Sequence, residues 1–152
     1  MVPLEALLAW LHFACIFALV GTLFSEVVLY RRRMDLARLT SLRRVDLWFG
    51  ISACLVVLSG ILRVSFGLKG AGFYLHNPVF CTKMGFFVAI GLLSIAPTIH
   101  YIRLAGQNDA SGMVTVDEGG YRRTWMLLGL EIALLICIPF LAALLALGLS
   151  AL

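Results

Sequence analysis

Two cations, Arg63 and Lys83, stand inside strongly apolar sequence, on either side of a glycine-containing stretch that also holds Lys69 and His76. A charge placed in a bilayer is costly, so it usually faces the protein interior or a polar cavity and has a partner. Further upstream, His12 stands within another apolar stretch. Imidazole and cations together match what a b-type haem requires: a ligand for the iron, and counter-charges with N–H donors for the two propionates. His12 is the expected metal ligand, with His76 either the second ligand or part of the entrance. Arg63 and Lys83, with Lys69, are placed to meet propionates, aided by the free N–H groups of a helix starting after Asn77-Pro78. The absence of a Cys-x-x-Cys-His motif argues against a covalently attached c-type haem. Copper is the rival ligand, because His12 and Cys15 offer two donors one turn apart. Methionine is sparse in the apolar stretches, however (Met84 and Met126), and Arg63 and Lys83 would repel a cation.

Carboxylates form a second set. Glu26, Asp46 and Glu131 fall near the opposite ends of their apolar segments, together with Tyr30, His100 and Tyr101. Asp46 lies close enough to the interface for solvation or helix N-terminal capping to explain it. Glu131 sits deeper, where it could transfer protons or hydrogen-bond as a neutral acid. His12, Cys15, Leu19, Thr22 and Glu26 recur at helical spacing and share one face. Lipid offers polar groups no partners, so that stripe should turn inward. The plainer alternative is that His12 and Glu26 only hydrogen-bond neighbouring helices.

These residues need elements to hold them, and composition says what kind. The chain has 152 residues, 62% hydrophobic and 13% charged, with mean hydropathy +1.02. A soluble domain carries about a quarter charged residues, so this is an integral membrane protein of one domain. Its net charge of +4 reflects basic residues beside apolar segments and does not indicate nucleic acid. A spanning helix needs about 20 mainly apolar residues. Four segments qualify, at about 4–30, 46–68, 78–104 and 124–149, predicting an all-α, antiparallel four-helix membrane bundle. Small residues such as Gly50, Ser52, Ala53, Ser59 and Gly60 let the helices approach.

The first connection carries Arg31, Arg32, Arg33, Arg38, Arg43 and Arg44, and the third carries Arg103, Arg122 and Arg123. The positive-inside rule puts both in the cytoplasm and both termini on the periplasmic side of a bacterial inner membrane. The arginine run could also touch anionic lipid. His12, Arg63, His76 and Lys83 then share the outer half of the membrane and the carboxylates the inner half. Asn77-Pro78 reads as an N-cap followed by proline at the first helical position. Pro97 and Pro139 are expected to kink their helices, and residues 106–112 to form a flexible loop. The four cysteines, none in a Cys-x-x-Cys, read as small buried apolar residues. The N-terminus has no basic region and no cleavage site of signal-peptide type, so its first segment is expected to be a retained helix.

Nearly the whole chain resembles a bacterial family of small four-helix membrane proteins, domain of unknown function 2214. The resemblance rests on Leu11-His12, Gly60-Ile-Leu-Arg63, Lys69-Gly70-Ala71, Tyr74-Leu75-His76-Asn77-Pro78, Lys83, Leu130-Glu131 and Pro139. More distantly the chain is similar to the superfamily of CopD-type copper-resistance membrane proteins and HemJ-type protoporphyrinogen oxidases. In the latter a first-helix histidine after leucine binds haem b and a lysine on a later helix matters. That resemblance implies those roles for His12 and Lys83. The chain departs from the pattern before the lysine, where Phe80-Cys81-Thr82 replaces an expected Trp-His pair.

Three functions follow as expectations. The first is a membrane oxidoreductase or electron carrier with haem b, acting on a quinol- or porphyrin-type ligand. The second is copper, ion or proton transport along the two polar layers. The third is a cofactor-free assembly subunit, either a homo-oligomer or bound to a partner membrane subunit whose anions meet Arg63 and Lys83.

Overall fold

A computed structural model describes residues 2–66, 72, 76–107 and 112–146. Lys69, Gly70, Ala71, Tyr74 and Leu75 lie outside the described residues, as does most of the 106–112 loop. Four helices build the molecule: α1 (Val2–Leu29), α2 (Leu36–Phe66), α3 (Pro78–Leu104) and α4 (Glu118–Ala146). All four are long and apolar enough to cross a membrane. A 27-residue helix such as α3 is about 40 Å long, more than the ~30 Å hydrocarbon core, so its ends reach the headgroups. The outer surface is apolar: Phe17, Phe24, Ile136 and Phe140 are all largely exposed. A soluble monomer rarely shows such a surface, and here lipid covers it.

The helices run antiparallel. α1 packs mainly on α2 and α3 mainly on α4, and the two hairpins meet chiefly along α2 and α3. Of the expected face of α1, His12, Cys15, Leu19 and Glu26 are buried. Thr22 is half-buried with its hydroxyl on the Ala18 and Leu19 carbonyls of its own helix, and Leu23 is buried beside them. Pro97 and Pro139 both lie inside continuous helices. Asn77 caps α3 as its sequence suggests, its side chain accepting from the N–H groups of Val79 (2.9 Å) and Phe80 (3.4 Å). All four cysteines are thiols, but only Cys15 is buried. Cys54, Cys81 and Cys137 face outward, because an apolar residue on a membrane helix can serve lipid as well as core.

One end of the bundle differs from the sequence reading. Strands β1 (Arg33–Asp35) and β2 (Met113–Thr115) pair antiparallel, with Met34 opposite Val114. The first and third connections are therefore one structure rather than two loops. Their alternation is that of a half-buried ribbon: Met34, Val114 and Val116 are buried while Arg33, Asp35 and Thr115 are exposed. An isolated two-stranded ribbon is marginal in water, so burial of these three side chains on the helix ends is what holds it. An exposed salt bridge of 2.6 Å, Arg32 to Glu118, spans the same end.

Two helices also begin earlier than their apolar spans. Asp35 Oδ1 accepts from the Arg38 N–H at 2.7 Å, and Asp117 Oδ2 accepts from the Gly120 N–H at 2.8 Å. These caps start α2 and α4 ahead of the hydrocarbon. Arg38, Arg43, Arg44, Arg122 and Arg123 are thus helical residues and not loop residues. Arg38 also donates to the Leu29 carbonyl (2.8 Å, from Nε) and the Val28 carbonyl (3.1 Å), closing the C-terminus of α1. Charge-assisted bonds at a helix C-terminus are worth a few tenths to about 2 kcal/mol. Arg38→Ala should therefore lower stability by about 1 kcal/mol. Thermal melting in detergent reads this, and unchanged melting would mean that water serves those carbonyls equally well.

Candidate functional site

The outer polar layer centres on His12. Its Nδ1 lies 2.8 Å from Ser59 Oγ, and Ser59 Oγ donates to the Val56 carbonyl at 3.1 Å. A hydroxyl has one proton to give. Turned to Nδ1 it would reverse the tautomer; given to Val56, it leaves Ser59 to accept from His12 Nδ1–H. Nε2 is then the ring's lone-pair nitrogen. Histidines that bind metals characteristically donate their other N–H in this way. Gly60 lets α2 come close: a Cβ there would sit 3.4 Å from His12 Cε1. Alanine just fits, and anything larger pushes the ring. Gly60→Leu is expected to break the His12–Ser59 bond and cost about 1–3 kcal/mol. A histidine ring resonance that keeps its wild-type shift in the variant would refute that packing argument.

Arg63 and Lys83 both act electrostatically on His12, and Arg63 on Lys83. The Arg63 guanidinium lies 5.8 Å from the centre of the Phe13 ring, a cation–π arrangement. Among the described residues neither cation forms a salt bridge with a carboxylate. Two mutually repelling cations around a buried imidazole favour an anionic ligand. His76 is exposed and holds the Gly72 carbonyl through Nδ1 at 2.9 Å, so it too keeps Nε2 as its acceptor. Lys69 lies outside the described residues. Met84 and Met126 point outward, away from any copper site built on His12 and Cys15. Among the described residues no group of three or more His, Cys, Asp or Glu side chains converges on a metal-ion site. What the outer layer offers is one buried imidazole, His12, with Arg63 and Lys83 in electrostatic reach of it, the residue types that a haem's iron and propionates would use.

The inner layer is more deeply buried than its sequence suggested. Glu26 is 2% exposed and Glu131 1%. Among the described residues Oε1 of each has no hydrogen-bond partner, and neither has the hydroxyl of fully buried Tyr101. That hydroxyl faces the Glu26 carboxyl without closing a bond of normal geometry. Asp46 is not a helix cap, as expected from its place in the sequence, because α2 starts well before it. Its carboxyl turns into the bundle, accepts from the Thr98 hydroxyl at 2.7 Å, and lies within electrostatic reach of both glutamates.

From Tyr101 an aromatic and polar series leads toward the ribbon. Tyr30 is fully buried, 5.6 Å centre to centre from Tyr101 and stacked on Tyr121 at 5.4 Å. Its hydroxyl lies 3.2 Å from His100 Nε2. His100 is half-buried beside exposed Asp117, and a Cβ at Gly120 would meet its Cε1 at 3.1 Å. Sequence reasoning gathered Tyr30, His100 and Tyr101 into one layer but not into this order, and it missed Ser59, Thr98 and Tyr121. Ser59 gave a signal, as one of the small residues where helices approach. Its role could be found only by knowing that α1 lies opposite.

A family model described as "Predicted membrane protein (DUF2214)" matches residues 4–150, and the chain belongs to that family. No curated protein and no solved structure matches.

Proposed function

We propose that this DUF2214 protein binds a b-type haem in its outer polar layer and works as a small redox protein of the bacterial inner membrane. His12 would ligate the iron through Nε2. His76 would supply a second ligand or line the entrance, and Arg63 and Lys83 would hold the propionates. A haem bound there supplies one-electron chemistry, and the protein's part is ligation, orientation and electrostatics. The observation that carries the reading is the buried contact of His12 Nδ1 with Ser59, which engages one ring nitrogen and would leave Nε2 for the iron. Arg63 and Lys83, which among the described residues form no salt bridge with a carboxylate, support it. On the neighbouring face of α2 lies an apolar groove of about 350 Å³, lined by Ala53, Cys54, Val57, Leu58, Ile61 and Phe87. It suits a lipid-soluble reductant such as a quinol or a porphyrinogen. The arginines clustered at the ribbon end, in the first connection and in the adjoining helix ends, favour a cytoplasmic location for it, which would put His12 and the termini toward the periplasm.

The test is an absorption spectrum of the purified protein, oxidised and then reduced with dithionite. The expected result is a Soret band that shifts on reduction, absent from His12→Ala and weakened in the Arg63→Gln, Lys83→Gln double variant. A featureless spectrum even after added hemin overturns the reading. A second reading, proton or ion movement across the membrane, is favoured by the partnerless oxygens of Glu26 and Glu131. It requires flux in proteoliposomes that depends on Glu131.

A further inference from the structure

We propose that Glu26 and Glu131 form a proton-holding site that fills from the ribbon end through Tyr101, Tyr30 and His100. The inference goes beyond the outer layer. Fourteen helical residues, about 21 Å along the α1 axis, separate Glu26 from His12.

The buried carboxyls set the problem. Both are almost completely enclosed, and an oxygen of each lacks a partner. Among the described residues neither forms a salt bridge with Lys or Arg. A buried anion without a counter-charge is far costlier than a neutral acid. The groups facing the pair include further acids: Asp46 from α2, with Arg43 acting on Asp46, and Tyr101 from α3. A metal ion is a poor candidate for the missing positive charge, because no three-donor group converges among the described residues. A proton needs one oxygen, and the unpartnered Tyr101 hydroxyl is a third buried polar group turned toward the same place.

The route follows from the order of the side chains. Tyr101 faces Glu26, and the Tyr30 ring packs on the Tyr101 ring with no hydrogen bond yet closed by the Tyr101 hydroxyl. The Tyr30 hydroxyl meets His100 at 3.2 Å, so the relay closes when the two tyrosine hydroxyls turn to each other. His100 lies beside Asp117, which is exposed at the ribbon end. Tyr121 on α4 stacks on Tyr30, and Arg103 and Arg123 flank His100. Each relay group can both donate and accept a proton. A hydronium at the Asp117 surface gives up its proton and leaves as water. His100 and the two tyrosines each take a proton on one side and release one on the other. The last proton bonds to a glutamate oxygen, and discharge runs the same steps backward. Nothing is oxidised or consumed.

The test is infrared spectroscopy of the whole protein in lipid during transfer from H2O to D2O. A protonated-carboxyl C=O band is expected at neutral pH, diminished in Glu26→Gln and in Glu131→Gln. Tyr101→Phe keeps its ring and His100→Phe keeps an aromatic side chain, but each removes a relay group, and each should slow deuteration of that band by about tenfold or more. The absence of the band overturns the proposal, as does its survival in the double glutamine variant. Deuteration as fast in both Phe variants as in the wild type overturns the route. If the glutamine variants fail to fold, the Phe variants still decide, because their carboxyls are intact. The band does not depend on haem, so its failure leaves the outer-layer reading standing, and a featureless visible spectrum leaves this one standing.

Discussion

Glu131→Leu is expected to make the protein more stable, by about 1–3 kcal/mol, seen as a higher melting temperature in detergent or lipid. The side chain is 1% exposed, and its Oε1 has no hydrogen-bond partner. A buried polar group left unsatisfied costs about 1–3 kcal/mol, and leucine of similar length removes that cost while filling the space. Replacing buried charged groups by well-packed apolar ones is commonly neutral or stabilising. Glu26→Leu should gain less, because the Tyr101 hydroxyl faces that carboxyl and would lose the nearest polar group it is turned toward. A core that retains a costly group does so for function, the usual conflict between stability and activity. The same Glu131→Leu variant should therefore lose half of the proton-holding pair as it gains stability. A lower melting temperature would mean that Glu131 has a stabilising partner, and would remove the argument that the inner layer is unsatisfied.

The parts of this protein that were legible in its sequence are those governed by one helix and one solvent. The four spans and the inward face of α1 follow from hydropathy and a 3.6-residue period. The Asn77 cap follows from Asn-Pro at a helix start. The two polar layers follow from counting residues along each span. What could not be read depends on which helix lies opposite. Ser59 meets His12 only because α1 and α2 are neighbours. Asp46 reads as an interfacial cap when its apolar span is taken as the helix. The polar turns from Leu36 onward carry α2 past that boundary, and Asp46 becomes a half-buried mid-helix group bonded to Thr98 on α3. The ribbon was hidden for a different reason. Three-residue strands are shorter than any pattern that distinguishes them from loop, and β1 pairs with a segment nearly eighty residues away. Antiparallel helices must bring the two connections to the same end before either strand has a partner.

The largest loss is expected at Tyr30, just past the end of α1, where the packing of three helices converges. The residue is fully buried, stacks on Tyr121 of α4, packs on Tyr101 of α3, and places its hydroxyl 3.2 Å from His100. Its backbone N–H also closes the last turn of α1 on the Glu26 carbonyl at 2.8 Å. Truncation of a buried aromatic side chain costs about 3–5 kcal/mol through lost burial and the cavity left behind. Tyr30→Ala should lose about that much, enough to unfold a marginal protein. Tyr30→Phe keeps the ring and loses one hydrogen bond, for about 1 kcal/mol. The pair of variants separates two roles for one side chain. If Tyr30 only packs, Phe leaves carboxyl deuteration unchanged and Ala is merely unstable. If it also carries protons between His100 and Tyr101, the well-folded Phe variant fills the glutamate site slowly. Equal melting temperatures for Phe and Ala would contradict the geometry itself, since they would mean that the aromatic stack between α1, α3 and α4 contributes nothing.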